Sequence, residues 1–393
     1  MAVDTIPTVH PEAADLVASV FSAVDGVLAA CPRSLYLQRS RERQHAPELW
    51  DAIVAADLLA IGIPEERGGA GGGLTGCVAV MEALSRAGVP PLQYSLTTFS
   101  REAILRYGTE EQIKQHVLST MTGARRFCLG VTEPDAGTNS FAARTTAVRT
   151  SGGGYRINGQ KVYISAADES DHILLLARTA ARDEPVNRRQ GFGIFAVDLS
   201  SPGIELRRLD VEWHAPEYQF EVFLDDVEVP AEALVGEEGL GFDHLLSVLN
   251  QERVVVAAWA LGLGEYALQK AVEYARTRAP FGRPIGSFQG VQHPLALAKA
   301  EMEAARQVMY SAAALYDSGQ DAGAQANMAK LLGTRAALAA VDAAIQTHGG
   351  SAFVYETDVV TLWPMIRVLQ IAPINNESVL NYIGERVLGL PRS

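Results

Sequence analysis

FCLGVTEPDAGTNS, residues 127–140, is where the chain changes character. Upstream, from about residue 11 to 124, apolar residues recur at spacings of three and four, as in ADLVASVFSAV and APELWDAIVAADLLA, which is the period of amphipathic helices. Downstream, to about residue 235, short β-type runs take over. YRINGQKVYIS, HILLLAR, FGIFAVDL, IELRRL and QFEVFLDDVEV are each bounded by Gly, Pro, Asn or Asp. Beyond Pro230 the helical period returns in long alanine-rich segments at about 239–277, 290–317, 322–348 and 375–388. Helices of that length with apolar residues on several faces predict a bundle. The expected fold class is therefore α+β multidomain, in three parts: an N-terminal α-helical domain over 1–126, a middle antiparallel β-domain over 127–235, and a C-terminal four-helix bundle over 236–393.

Bulk properties agree with a multidomain globular chain and exclude some functions. The 393 residues, 48% of them hydrophobic, exceed what a single core normally organises. A formal net charge of −13, with no basic run, argues against nucleic-acid binding, because affinity for a phosphate backbone comes from clustered Lys and Arg. Cys31, Cys77 and Cys128 are too far apart for a metal cluster and odd in number, which fits a reducing compartment and small buried hydrophobes. The start, MAVDTIPTVHPEAADL, has acids and prolines where a signal peptide needs a basic start and an apolar run, and no stretch approaches the ~20 apolar residues of a bilayer span. The expectation is a cytoplasmic protein without membrane insertion, and no metal site.

Eight strings stand out in order: LLAIGIPEERGGAG, YGTEEQIKQHVL, TEPDAGTNS, INGQKVYIS, FLDDVEVPAEALVGEEGLGF, LNQERVVVAAWALG, YARTRAPFGRPIGSFQGVQHPLA and QTHGGSAFVYE. In sequence and separation they resemble the acyl-CoA dehydrogenase superfamily over nearly the whole chain. That resemblance implies an FAD flavoprotein.

The residues admit that role alongside plainer ones. In FCLGVTEPDAGTNS the resemblance sets Val131 and Thr132 at the flavin ring edge and Thr138 at a cofactor phosphate. Gly137 lets backbone approach a bulky anion, while the plain reading of the string is a hydroxyl-rich β-turn. Tyr163 and Ser165 alternate with apolar residues and so share one strand face. By resemblance Tyr163 shields one face of the flavin and Ser165 bonds near its N5; otherwise Tyr163 is a packing residue. Arg278 can grip a pyrophosphate or compensate a helix dipole, and Gly349 and Gly350 can serve a cofactor or stop a helix. The resemblance puts Arg278, Phe281, Gln289, Gln346, Gly349 and Gly350 on the FAD of a neighbouring subunit, which implies a homotetramer or dimer, or a heteromer.

The reaction implied needs a carboxylate to take the α-proton while a hydride leaves from the β-carbon. Counted back from RVLG, Pro373 occupies the position where the commonest family members carry their glutamate, and proline offers neither a carboxylate nor an N–H. LWPMIRV and EWHAPEYQ also depart from the usual pattern. Glu252, followed by Arg253, matches the helix position from which isovaleryl-CoA, long-chain acyl-CoA and prolyl-carrier-protein dehydrogenases deliver their base. Glu252 can equally be a partly buried acid paired with an arginine on a facing helix. Glu377 is the other candidate, yet Asn375 reads as an N-cap that places Glu377 in a helix's first turn, a structural position. Asn375 itself can stand in for the family's flavin-contacting threonine. Three readings remain open. One is dehydrogenation of an acyl-CoA or acyl-carrier-protein thioester with an electron-transfer flavoprotein as acceptor. The second is a non-catalytic partner subunit, suggested by Pro373 and by the resemblance of APINNE and ERVLGLPRS to actinobacterial members, and the third is a related flavin oxidase or monooxygenase.

Overall fold

Proline and glycine set the helix boundaries of the first domain. The computed structural model describes residues 11–180 and 189–392. Helices α1 (Pro11–Ala30), α2 (Arg33–Arg41) and α3 (Pro47–Ala55) precede a glycine-rich loop, and α4 (Gly73–Arg86) and α5 (Leu92–Tyr107) follow it. Pro47 stands at the first turn of α3, where a missing N–H costs nothing. The loop from Gly62 to Gly73 folds back on itself, with Gly62 N–H donating to the Gly71 carbonyl at 2.8 Å. Gly69 is required there, because a Cβ would lie 2.1 Å from the Ile63 carbonyl oxygen. The buried Arg101 guanidinium of α5 pins the loop by donating to the carbonyls of Leu59 and Ile61. Two short helices, α6 (Glu110–Gln112) and α7 (Leu118–Met121), are joined by a π turn and lead into the sheet.

The α1 segment Ala13–Ala30 corrects the expectation about apolar length: it is an 18-residue stretch long and apolar enough to cross a membrane. Its fold is that of a surface helix. Val17, Val20, Val24 and Val27 are buried, spaced three and four apart on the side that joins the core.

The middle domain is one eight-stranded sheet in the order β6-β7-β3-β2-β4-β5-β8, with β1 also paired to β4. The strands are β1 (Phe127–Gly130), β2 (Thr146–Arg149), β3 (Tyr155–Ser165), β4 (His172–Arg178), β5 (Phe192–Asp198), β6 (Ile204–Leu209), β7 (Gln219–Val229) and β8 (Leu234–Val235). Most pairings are antiparallel, as expected, but β1 runs parallel to β4, and Thr146 of β2 pairs with Arg178 in parallel. The β3–β7 register shifts between Ile157 and Gly159 and again between Lys161 and Ile164. The second irregularity lies in the site.

Three long helices build the last domain: α8 (Gly241–Thr277), α9 (Gln289–Asp317) and α10 (Gly323–His348). The fourth expected segment, about 375–388, is helical over 376–387, as α12 (Asn376–Tyr382) continuing into a π turn (Ile383–Val387), after α11 (Leu362–Leu369). α4 of the first domain also packs against α8 and α9, so both helical domains share one core. Every residue from Arg253 to Glu265 is buried, as a helix surrounded on all sides requires. The buried charges at the α4–α8–α9 contact are compensated. Arg306 of α9 reaches Glu82 of α4 at 2.5 Å and Glu265 of α8 at 3.3 Å, and the Tyr310 hydroxyl donates to Glu82 at 2.7 Å. The three cysteines are buried and unbridged.

Candidate active site

The site grows from the end of β1. Val131 and Thr132 leave the strand, and the Thr132 carbonyl accepts Val162 N–H of β3 at 3.0 Å, which fixes the FCLGVT backbone beside the YIS run. Tyr163 sits in the β3 irregularity at φ +57°, with 65% of its surface exposed. A non-glycine residue in the left-handed region is uncommon and clusters at functional positions. The irregularity interrupts the strict alternation expected for Tyr163 and Ser165, and it turns the tyrosine ring out of the sheet. Ser165 is half-buried and its Oγ accepts from Gln219 Nε2 of β7 at 2.8 Å, a partner that sequence reading did not identify.

Beyond Thr132 the chain makes a tight turn, Ala136 N–H donating to the Glu133 carbonyl at 3.0 Å, and emerges at exposed Gly137 and Thr138. A Cβ on Gly137 would meet nothing within 4 Å, so the backbone there faces open space. Thr138 Oγ accepts from Asn375 Nδ2 at 2.9 Å, joining the middle domain to α12. Asn375 is the N-cap as read, its Oδ1 accepting Ser378 N–H at 2.7 Å. Glu377 is exposed in the first turn of that helix, and Pro373 is exposed in the preceding loop. Lys330 of α10, buried, holds that loop by donating to the Ile374 carbonyl at 2.6 Å and to Asn376 Oδ1 at 2.8 Å. Burial pushes the Lys330 ammonium down to about 8.

Glu252 lies on α8 immediately before the fully buried run, where the helix surface is still partly open. Its Oε2 is enclosed and has no hydrogen-bond partner, and the same holds for Gln251 Oε1 and Arg253 Nε. Three successive side chains with unpaired enclosed polar atoms are unusual, because such groups are normally satisfied. Burial pushes the Glu252 carboxyl up to about 7, with Arg253 partly offsetting it. Burial likewise lowers the Arg253 guanidinium, whose Nη1 donates to Asn250 Oδ1 at 2.7 Å. Arg253 is thus turned back along its own helix rather than paired with its neighbour.

The remaining expected residues form a second group. Arg278 caps the far end of α8 and is exposed; Phe281 is 79% exposed, and Gln289 opens α9 on the surface. Gln346, Gly349 and Gly350 lie at the exposed end of α10, Gly349 at φ +56° as the C-cap. The Tyr274–His348 ring stack, with centroids 4.6 Å apart, brings the two helix ends together. From Glu252 to Arg278, 26 residues at about 1.5 Å rise is about 39 Å. One chain therefore carries the expected cofactor residues in two groups at different places: Val131, Thr132, Gly137, Thr138, Tyr163, Ser165 and Asn375 in one, and Arg278, Phe281, Gln289, Gln346, Gly349 and Gly350 in the other. The residues of the first fit a flavin, with an outward aromatic ring at Tyr163 and open backbone for a phosphate at Gly137.

Comparison with known proteins matches the chain to three family models: acyl-CoA dehydrogenase, N-terminal domain, over residues 12–124; middle domain, over 128–227; and C-terminal domain, over 239–388. A Mycobacterium bovis protein named acyl-CoA dehydrogenase fadE12 is 39% identical over 374 residues, covering 94% of this chain and 95% of that one. The structure of butyryl-CoA dehydrogenase from Megasphaera elsdenii superposes with a TM-score of 0.89 at 28% identity, covering 97% and 99% of the two chains. The FAD complex of PigA does so with a TM-score of 0.88 at 25% identity, covering 98% and 99%.

Proposed function

Since the chain belongs to the acyl-CoA dehydrogenase family, flavoproteins that carry FAD and oxidise acyl-CoA, we propose that it introduces an α,β double bond into an acyl thioester with Glu252 as the base. The observation that carries this reading is the enclosed, unpartnered Glu252 carboxylate with an affinity for protons near neutrality. A base works best when its pKa lies close to the operating pH, and a carboxylate without internal partners is free to meet a substrate C–H. FAD, when bound, accepts the β-hydrogen with its electron pair. Glu252 takes the α-proton onto a carboxylate oxygen, so proton and hydride both leave and the thioester becomes an enoyl thioester. The residues that would hold FAD are Tyr163 for a face of the ring, Thr132 and Ser165 for its edge, and Thr138 with Asn375 for the phosphate end. Arg253 lies beside the base and moderates its proton affinity. The opposing features of the loop are consistent with this division of labour: Pro373 offers no acid, and Glu377 is exposed and serves the α12 dipole.

The second group, which we read as a second half-site, lies with Arg278 about 39 Å along α8 from Glu252. We assign it to the FAD of a second copy, which makes the working protein a homodimer or homotetramer, with an electron-transfer flavoprotein as acceptor.

The test is an anaerobic titration of the purified yellow protein against a panel of acyl-CoA and acyl-carrier-protein thioesters, followed by loss of the flavin absorption band. Bleaching by some thioester, abolished in Glu252→Gln and kept in Glu377→Gln, is the expected result. Bleaching that survives Glu252→Gln refutes the assignment of the base, and a protein that bleaches only after a different chain is added makes it one half of a heteromer.

A further inference from the structure

Directly behind the flavin-edge residues lies a buried ion pair that the reaction does not use. Lys161 of β3 is fully buried and donates to Glu133 Oε1 at 2.8 Å. The same ammonium donates to the Val131 carbonyl at 3.2 Å. Glu133, also buried, accepts from three more directions of the chain than a simple pair needs. Its Oε1 takes Thr145 N–H at 3.0 Å and its Oε2 takes Arg144 N–H at 2.6 Å. Its backbone closes the turn to Ala136.

Burial alone would raise the Glu133 carboxyl. The charge of Lys161 and the backbone N–H of Arg144 outweigh that and hold it below the usual carboxylate range. Burial brings Lys161 down to about 8, against the pull of Glu133. At pH 7 the pair is ionised on both sides.

The connections are not distributed at random over the domain. Lys161 holds the carbonyl of Val131, and the next residue's N–H holds the carbonyl of Thr132. The residue after that is Tyr163, at its left-handed φ. Three consecutive β3 residues thus fix the two ring-edge positions and present the ring-covering side chain. The Glu133 carboxylate ties the far side of the same turn to residues 144 and 145, which determines where Gly137 and Thr138 emerge. Gly159 keeps this approach possible: a Cβ there would lie 2.7 Å from Thr145 Cα, pushing Thr145 away from the carboxylate.

We propose that Glu133 and Lys161 are positioning residues for FAD, shaping the 131–138 backbone into its flavin-receiving form before the cofactor arrives. The proposal concerns binding of FAD and does not depend on which residue is the base. A buried pair is a poor source of net stability, because desolvation of both charges offsets their attraction, whereas it is a good way to impose one geometry. Preorganisation of this kind shows as affinity, because the loop's ordering cost is met before binding.

The test uses the full-length protein with Glu133→Gln, and with Glu133→Gln combined with Lys161→Met so that no lone buried charge is left. FAD affinity is measured by flavin fluorescence quenching on reconstitution, thermal unfolding is followed without FAD, and amide hydrogen exchange is read at residues 131–145. The expected result is an FAD Kd raised at least tenfold and faster exchange confined to 131–145, with the flavin-free melting transition kept. An unchanged Kd in a folded double variant overturns the proposal. So does faster exchange spread evenly over the middle domain, which is the signature of a pair that only stabilises the sheet. If the double variant does not fold, Glu133→Gln alone decides on the same two readouts.

Discussion

Replacing Glu252 by Gln should make the protein inactive and, at the same time, more stable. The carboxyl is raised from 4.5 to about 7 by burial. At about 1.4 kcal/mol per pH unit, the cost of ionising it in the folded state is about 3 kcal/mol. Below pH 4.5 the acid is protonated in both folded and unfolded chains and costs nothing. Between 4.5 and 7 the unfolded chain gives up its proton while the folded chain keeps it, so stability falls as pH rises; above about 7 the whole cost is present. Glutamine keeps the shape and removes the charge. The variant should therefore melt at nearly the wild-type temperature at pH 4.5 and roughly 3–6 °C higher at pH 8. Paired thermal scans of holoprotein across that range provide the assay, with flavin content matched so that cofactor loss does not enter. A variant that is less stable at pH 8, or a difference that does not grow with pH, means the carboxylate is compensated in solution, and the argument from its unpartnered oxygen fails.

The same proton affinity predicts that kcat/KM for thioester oxidation climbs about tenfold per pH unit up to about pH 7 and then levels; a flat profile across pH 5–8 removes Glu252 from the role of base. Arg306→Met strands Glu82 without its cation and leaves Glu265 with Lys299 alone, and should cost roughly 3–5 kcal/mol in denaturant unfolding, with part of the loss recovered by adding Glu82→Gln. Asn375→Ala removes an N-cap worth about 1 kcal/mol and the bond to Thr138, so FAD should dissociate faster while the melting temperature moves little; equal retention of FAD would show the contact to be incidental. If each flavin is served by two copies, Glu252→Gln and Arg278→Glu chains, each inactive, should complement when mixed, with about a quarter of all sites rebuilt by random pairing; no recovery in verified mixed oligomers would mean that one flavin does not draw its two half-sites from different copies.

Much of the architecture was legible because its signals are local. The change from a period near 3.6 to short alternating runs at FCLGVT, and back after Pro230, marks the helix–sheet–helix order. The N-cap at Asn375 could be read because a cap needs only its own helix. Residues whose roles depend on distant partners could not. Lys161 in INGQKVYIS is an ordinary strand lysine until the fold brings Glu133 under it, 28 residues away. Gln219 meets Ser165, and Lys330 meets Ile374 and Asn376, across separations that no periodicity records. The outward turn of Tyr163 was hidden for a related reason, since one register shift against β7 overrides alternation within β3. What the periodicity could not show is that α4, remote in sequence, joins α8 and α9 in one core.

These long-range contacts also bear on the proposal that the acid comes from α8 rather than from the loop that carries Pro373. A carboxylate on a loop is placed by that loop's conformation, which here is fixed by Lys330 and by the Asn375–Thr138 bond. With the loop held from outside, its own residues need supply no acid, and a proline without an N–H is tolerated. A carboxylate on α8 is placed instead by a helix that is enclosed on every side from Arg253 to Glu265. Glu252 is the last residue before that enclosure: far enough in for burial to bring its carboxyl near neutrality, and, as the proposed base requires, not sealed within the core. Moved one turn further along the helix, at Val256, the same acid would be sealed in the core among valines and alanines with its affinity for protons raised beyond use. Position along α8, more than residue type, decides whether a glutamate there is a base.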